Sequence, residues 1–75
     1  MKKYLVITMS KSTREIRKEF VYDVEMHGTR IGEYIDSIIS TDGSIFWAVF
    51  GPNANEELAE REFLNHIKLR SDIIM

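Results

Sequence analysis

Two histidines each follow an acidic residue by four positions: His27 follows Asp23, and His66 follows Glu62. On a helix this spacing places both side chains of a pair on one face, where they could ligate a metal or form an acid–base couple. A zinc site needs three or four ligands, and no further residues stand at a recognisable ligand spacing. We therefore interpret both pairs as surface polar residues and expect neither a metal nor a cofactor.

Two other polar groups are compatible with chemistry, the carboxylates of Glu56, Glu57 and Glu60 and the Ser-Thr-Asp-Gly-Ser segment at 40–44. Acidic residues are favoured in the first turns of any helix because they offset the helix dipole. Segment 40–44 has neither the glycine–lysine pattern of a P-loop nor the Gly-x-Ser-x-Gly pattern of a nucleophile elbow. Since no nucleophile stands beside a base, the sequence predicts a protein that is not an enzyme.

Length and composition predict one small globular domain that covers residues 1–75. Domains of this size bury little surface, and many gain stability from disulfides, a metal or association. The chain has no cysteine, which excludes disulfides and thiolate zinc sites. Of these sources of stability, association with another chain is still possible. We therefore expect the partner to be another protein or a second copy of this chain, as in a homodimer.

The charge pattern disfavours nucleic acid and membranes as partners. The net charge is −2, with six basic against two acidic residues over 1–20 and two basic against nine acidic residues over 21–64. A field this weak and acidic does not favour nucleic acid. No apolar run approaches the ~18 residues that span a bilayer, and the apolar N-terminal segment has no small-residue cleavage site. We therefore expect a soluble, cytoplasmic protein.

Apolar periodicity predicts the element order ββαβα and an α+β fold. Residues 3–9 and 45–50 form apolar, β-branched or aromatic runs typical of strands. Residues 30–40 repeat isoleucine and tyrosine at helical spacing after Thr29, a candidate N-cap. A second helix follows Asn53 or Asn55 and continues to about Leu69, with a core face that includes Phe63, Leu64 and Ile67.

Residues 12–27 fit two structures. Phe20, Tyr22, Val24 and Met26 recur with the period of two that is typical of a strand, whereas Ser12 to Glu15 forms a capping box that favours a helix. The Val-Tyr-Asp-Val centre has poor helix propensity, so we favour a strand over 18–27. The alternative is a ferredoxin-like βαββα order, with residues 72–75 as a last strand.

A small antiparallel sheet with two helices on one face leaves its other face open. Contiguous apolar surface on a small protein marks an interaction site, and aromatic residues commonly anchor such sites. Which row of strand 45–50 faces the core stays open, so both rows supply candidates. The candidate partner-binding residues are Tyr4, Val6, Val21, Phe46, Trp47, Phe50, Leu58 and Leu69.

These features predict a small non-enzymatic protein-binding module: an adaptor, inhibitor or regulator that occludes a partner's surface. The alternative is single-stranded nucleic-acid binding, in which bases stack on sheet aromatics while the basic N-terminal segment holds phosphates. The Lys/Arg-Gly-aromatic run of RNA-binding sheets is absent, which disfavours it. A short, cysteine-free, stand-alone domain would also suit a phage or mobile-element accessory protein.

Overall fold

The structure, a computed structural model, describes residues 1–41, 43 and 45–74, and for residues 68–74 the backbone alone. The elements are β1 (Lys2–Ser10), β2 (Ile16–Asp23), α1 (Thr29–Thr41), β3 (Ile45–Phe50) and α2 (Glu56–Ile74). This order confirms the ββαβα prediction. The ferredoxin-like alternative is wrong, because residues 16–23 form a strand and residues 72–74 belong to α2.

The three strands form one antiparallel sheet in the order β2-β1-β3. β1 lies in the centre, with Tyr4 opposite Val21 of β2 and Ile7 opposite Ala48 of β3. A tight loop joins β1 to β2, and in it the Ser10 N–H donates a 3.0 Å hydrogen bond to the carbonyl of Glu15. β2 and β3 are therefore both edge strands.

The two helices pack on opposite faces of the sheet, so the prediction that both lie on one face is wrong. α2 covers the face of β1 that carries Leu5, and its Phe63 belongs to the same core cluster. α1 covers the other face, where Ile31 packs in a cluster with Val6. The physical reason is that every residue from 4 to 9 in β1 is buried, and a helix on each side is needed to exclude water from both rows.

Two candidate binding residues are consequently part of the core. Tyr4 is 3% exposed and Val6 is fully buried, and both pack in the α1 cluster. Val21 is half-buried against the same cluster. The expectation that these three residues lie on an open face is therefore corrected, because α1 occupies that face.

The carboxylate of Asp23 joins the end of β2 to the start of α1. Its Oδ2 accepts a 3.0 Å hydrogen bond from the Ile31 N–H, and its Oδ1 accepts one of 2.7 Å from the Val24 N–H. The helix begins at Thr29, so Asp23 and not Thr29 caps its free N–H groups. Gly28 lies against this carboxylate, and a Cβ there would collide with it.

Asp23 should make the fold sensitive to acid. The Ile31 N–H, with the Val24 and Arg30 backbone groups and the Arg30 charge, lowers the pKa of Asp23 below its ordinary value. A lowered carboxyl pKa stabilises the fold above the unfolded-state pKa of about 3.9, and the stabilisation is lost as pH falls through the folded-state pKa. Asp23→Asn should therefore have a lower free energy of unfolding than the wild type at pH 7. This difference between the two proteins should become smaller as the pH falls below about 4.

Urea unfolding of both proteins across this pH range measures that gap, because the other carboxyl groups titrate alike in each. A gap that stays constant from neutral to acidic pH would contradict the assignment.

The start of α2 is fixed by a cap and by ion pairs with β2. The Asn55 Oδ1 accepts a 3.1 Å hydrogen bond from the Leu58 N–H, which confirms Asn55 as the N-cap. The Lys18 amine lies 3.2 Å from a Glu56 carboxylate oxygen and 3.6 Å from one of Glu60. The hydrogen bond to Glu56, with the added charge of Glu60, raises the pKa of Lys18. These contacts place the first turns of α2 toward the β2 side of the sheet.

Candidate functional site

The outer edge of β3 carries backbone groups whose direction follows from the ladder. The Asn53 N–H donates a 3.1 Å hydrogen bond to the Lys3 carbonyl, so the backbone groups of Lys3 face the β3 side. Successive residues of an antiparallel strand alternate in this direction, so Ile7 also faces β3 and pairs with Ala48. The residues of β3 whose N–H and C=O groups point away from the sheet are therefore Ile45, Trp47 and Val49.

The two edges of the sheet differ in charge. Four of the eight residues of β2 are charged, and its Lys18 is tied to α2. The six residues of β3, Ile-Phe-Trp-Ala-Val-Phe, carry no charge. Charged side chains on an edge strand discourage pairing with another chain, and β3 has no such protection. Within the described part of the chain, no strand pairs with the outer side of β3.

A groove of about 580 Å³ runs beside this edge, between β3 and α2. Phe46, Ala48 and Phe50 of β3 line one side, and Phe63 and Ile67 of α2 line the other. Phe46, Ala48 and Phe50 are half-buried and also pack on the α2 core cluster. The groove is thus an apolar continuation of the core that opens at the edge of the sheet.

The two ends of the groove carry opposite charges. The Lys11 amine lies 4.8 Å from the centroid of the Phe46 ring, which places a positive charge at the Phe46 end. Glu62 lines the groove and also an adjoining depression that includes Phe50 and Leu58. Since that depression lies at the opposite end of β3, the acidic group stands toward the Phe50 end.

His66 and Glu62, singled out by their spacing, line this groove together. Among the residues whose side chains are described, no cluster of three or more His, Cys, Asp or Glu residues could hold a metal ion. We therefore treat the pair as the polar rim of an apolar groove.

The structure brings some of the predicted binding residues together and separates others. Phe46 and Phe50 line the groove, and the Trp47 side chain, 44% exposed, lies at the same edge. Leu58 is 59% exposed and lies beside the Phe50 end. The side chain of Leu69 lies outside the described residues.

Sequence reasoning counted Lys11 with the basic N-terminal segment and did not predict its position over Phe46, nor the role of the β3 backbone. The signal for the edge was available, because six consecutive uncharged residues without proline are typical of a strand that can pair with another chain. Leu64, expected in the core, is 40% exposed, since the buried stripe over the α2 residues whose side chains are described, 56–67, consists of Ala59, Phe63 and Ile67.

The aromatic residues proposed for base stacking do not form one platform. Phe46 and Trp47 are consecutive in β3 and therefore point to opposite faces of the sheet. Tyr4 is buried beneath α1, and α2 covers the face that carries Phe46 and Phe50.

Comparisons of this chain with protein-family models, curated proteins and solved structures gave no match. In the part of the chain that the structure describes, neither helix combines the length and apolar character needed to cross a bilayer.

Proposed function

We propose that this protein is a non-enzymatic protein-binding module that accepts an extended segment of a partner as an added strand on β3. The observation that carries the proposal is the uncharged outer edge of β3 beside an apolar groove. By binding this segment, the protein would cover part of the partner's surface and so act as an adaptor or an inhibitor.

Each part of the site has a separate role in this mode of binding. The outward N–H and C=O groups of Ile45, Trp47 and Val49 supply main-chain hydrogen bonds, which give affinity for any extended chain. Specificity comes from the side chains that flank the added strand. Every second residue of that strand faces the groove, where apolar side chains can contact Phe46 and Phe63. The alternate residues lie beside the indole of Trp47.

A displayed library of random linear peptides tests this site without knowledge of the natural partner. Peptides selected on the immobilised protein are titrated into the ¹⁵N-labelled chain, and the amide resonances that shift are mapped. We expect the largest shifts at the amides of Ile45, Trp47 and Val49 and at the Trp47 indole. Apolar residues should recur at every second position of the selected peptides.

Two outcomes would contradict the proposal. One is that the selection yields no binder above the background of a charged-edge variant, Trp47→Lys, whose replaced side chain is 44% exposed. The other is that the selected peptides shift the exposed β2 residues or the outer face of α1 and leave β3 unchanged.

A further inference from the structure

We propose that one occupant of the β3 edge is a second copy of this chain, joined as a symmetric dimer in which the two β3 strands pair antiparallel. This inference rests on the proposed strand-accepting edge and names its partner. The resulting sheet would have six strands in the order β2-β1-β3-β3-β1-β2. Three features of the edge are complementary to themselves under a two-fold rotation.

The first feature is the backbone. The outward-facing residues are Ile45, Trp47 and Val49, which are symmetric about Trp47. A two-fold axis through the Trp47 pair sets each Ile45 opposite Val49 of the second copy. All three are then hydrogen-bonded positions, so every outward N–H and C=O in this segment finds a partner. A register shifted by two residues leaves some of these groups unpaired.

The second feature is side-chain size on the face that carries the groove. In this register Phe46 of each copy lies opposite Ala48 of the other copy. The interface therefore contains two such Phe46–Ala48 pairs, related by the two-fold axis. A large ring thus faces a small methyl group at two equivalent places, which is the complementarity that close packing requires. On the opposite face the two Trp47 side chains are neighbours, and each is 44% exposed in the single chain.

The third feature is charge. The two-fold axis brings the Phe46 end of one groove to the Phe50 end of the other. Lys11 lies over Phe46 and Glu62 lies toward Phe50, so each Lys11 approaches Glu62 of the second copy. The same contact occurs twice, as an isologous interface requires. No charged residue of β3 opposes the approach, because the strand has none.

Sedimentation equilibrium over a concentration series tests the dimer in the full chain. From about 1 µM to about 1 mM, the mean mass should rise from the chain mass of 8.8 kDa toward twice that value. Lys11→Glu and Glu62→Lys should each raise the dimer dissociation constant by about tenfold or more, because each turns two attractions into repulsions. The double variant Lys11→Glu/Glu62→Lys should recover the wild-type constant.

Glu57→Lys is the matched control for the charge change on α2. Glu57 is exposed on the same helix and does not line the groove, so its reversal should leave the dissociation constant unchanged. The thermal melt of each dilute variant shows whether its fold is intact.

A monomer at every concentration would overturn the dimer, while the peptide selection on β3 would still decide the proposed function. A dimer that is insensitive to both reversals, or one in which the double variant is no better than either single variant, would also overturn this interface.

Discussion

Replacing Val6 by aspartate should leave the protein unfolded at neutral pH. Val6 is fully buried between the sheet and α1, in a cluster with Ile31 and Ile35. Burying an unpaired carboxylate in such a site destabilises the fold by many kcal/mol. If the group takes up a proton instead, its raised pKa still lowers the free energy of unfolding by several kcal/mol at neutral pH. A domain of 75 residues has a total stability of only about 5 kcal/mol, which is too little to offset that cost. Circular dichroism during heating should show no cooperative transition.

Val24→Asp is the control, because Val24 is 70% exposed just beyond β2. Its melting temperature should stay close to that of the wild type. An ordinary melt for Val6→Asp would mean that this face of β1 is open to water, as the prediction of two helices on one face required. It would therefore contradict the three-layer arrangement.

Replacing Trp47 by lysine should lower the affinity for β3-selected peptides by about 100-fold, and the folded state should remain intact. Tryptophan at the centre of an interface commonly contributes 2 kcal/mol or more to binding, and a charge on an edge strand disfavours a further strand. The side chain is 44% exposed, so its removal disturbs the core far less than a change at Val6. Fluorescence anisotropy of a labelled peptide, together with the melt of the free protein, separates binding from folding.

Leu64→Lys is a matched control, because Leu64 is 40% exposed and lies on α2 away from the groove. It introduces the same charge at an apolar position of similar exposure, and peptide affinity should not change. Equal losses in Trp47→Lys and Leu64→Lys would show that the effect comes from net charge and not from the edge.

Local patterns were sufficient to predict the elements but not the side of the sheet on which each helix packs. The continuous run from Tyr4 to Met9 indicates a strand buried on both faces. Small antiparallel sheets commonly expose one face to water, and from that expectation both helices were predicted to pack on the same face. The burial of Tyr4 and Val6 follows only when the crossover through α1 is known, because that crossover lies on the face opposite α2.

The end of β2 could not be predicted from alternation alone. The pattern continues through Val24 and Met26, yet the strand ends at Asp23. Asp23 is the last residue of the ladder, opposite Lys2, and its carboxylate accepts the N–H of Ile31, a residue eight positions later. Periodicity carries no information about such a bond.

The candidate site was predictable in part for a similar reason. The aromatic residues of β3 and Leu58 were identified by their apolar character, which is a local property. Lys11 and Glu62 belong to distant segments, and only the packing of α2 along β3 brings both to one groove. Which backbone groups of β3 face outward depends on the register with β1, and the sequence alone does not specify that register.

Amide hydrogen exchange in β3, measured residue by residue, tests the strand-accepting edge most directly. In dilute protein the amides of Ile45, Trp47 and Val49 should exchange much faster than those of Phe46, Ala48 and Phe50, which donate to β1. When a selected peptide or a second copy is bound, the first set should become as slow as the second. Slow exchange of both sets in dilute protein, or an outward set that stays fast in the complex, would contradict the account.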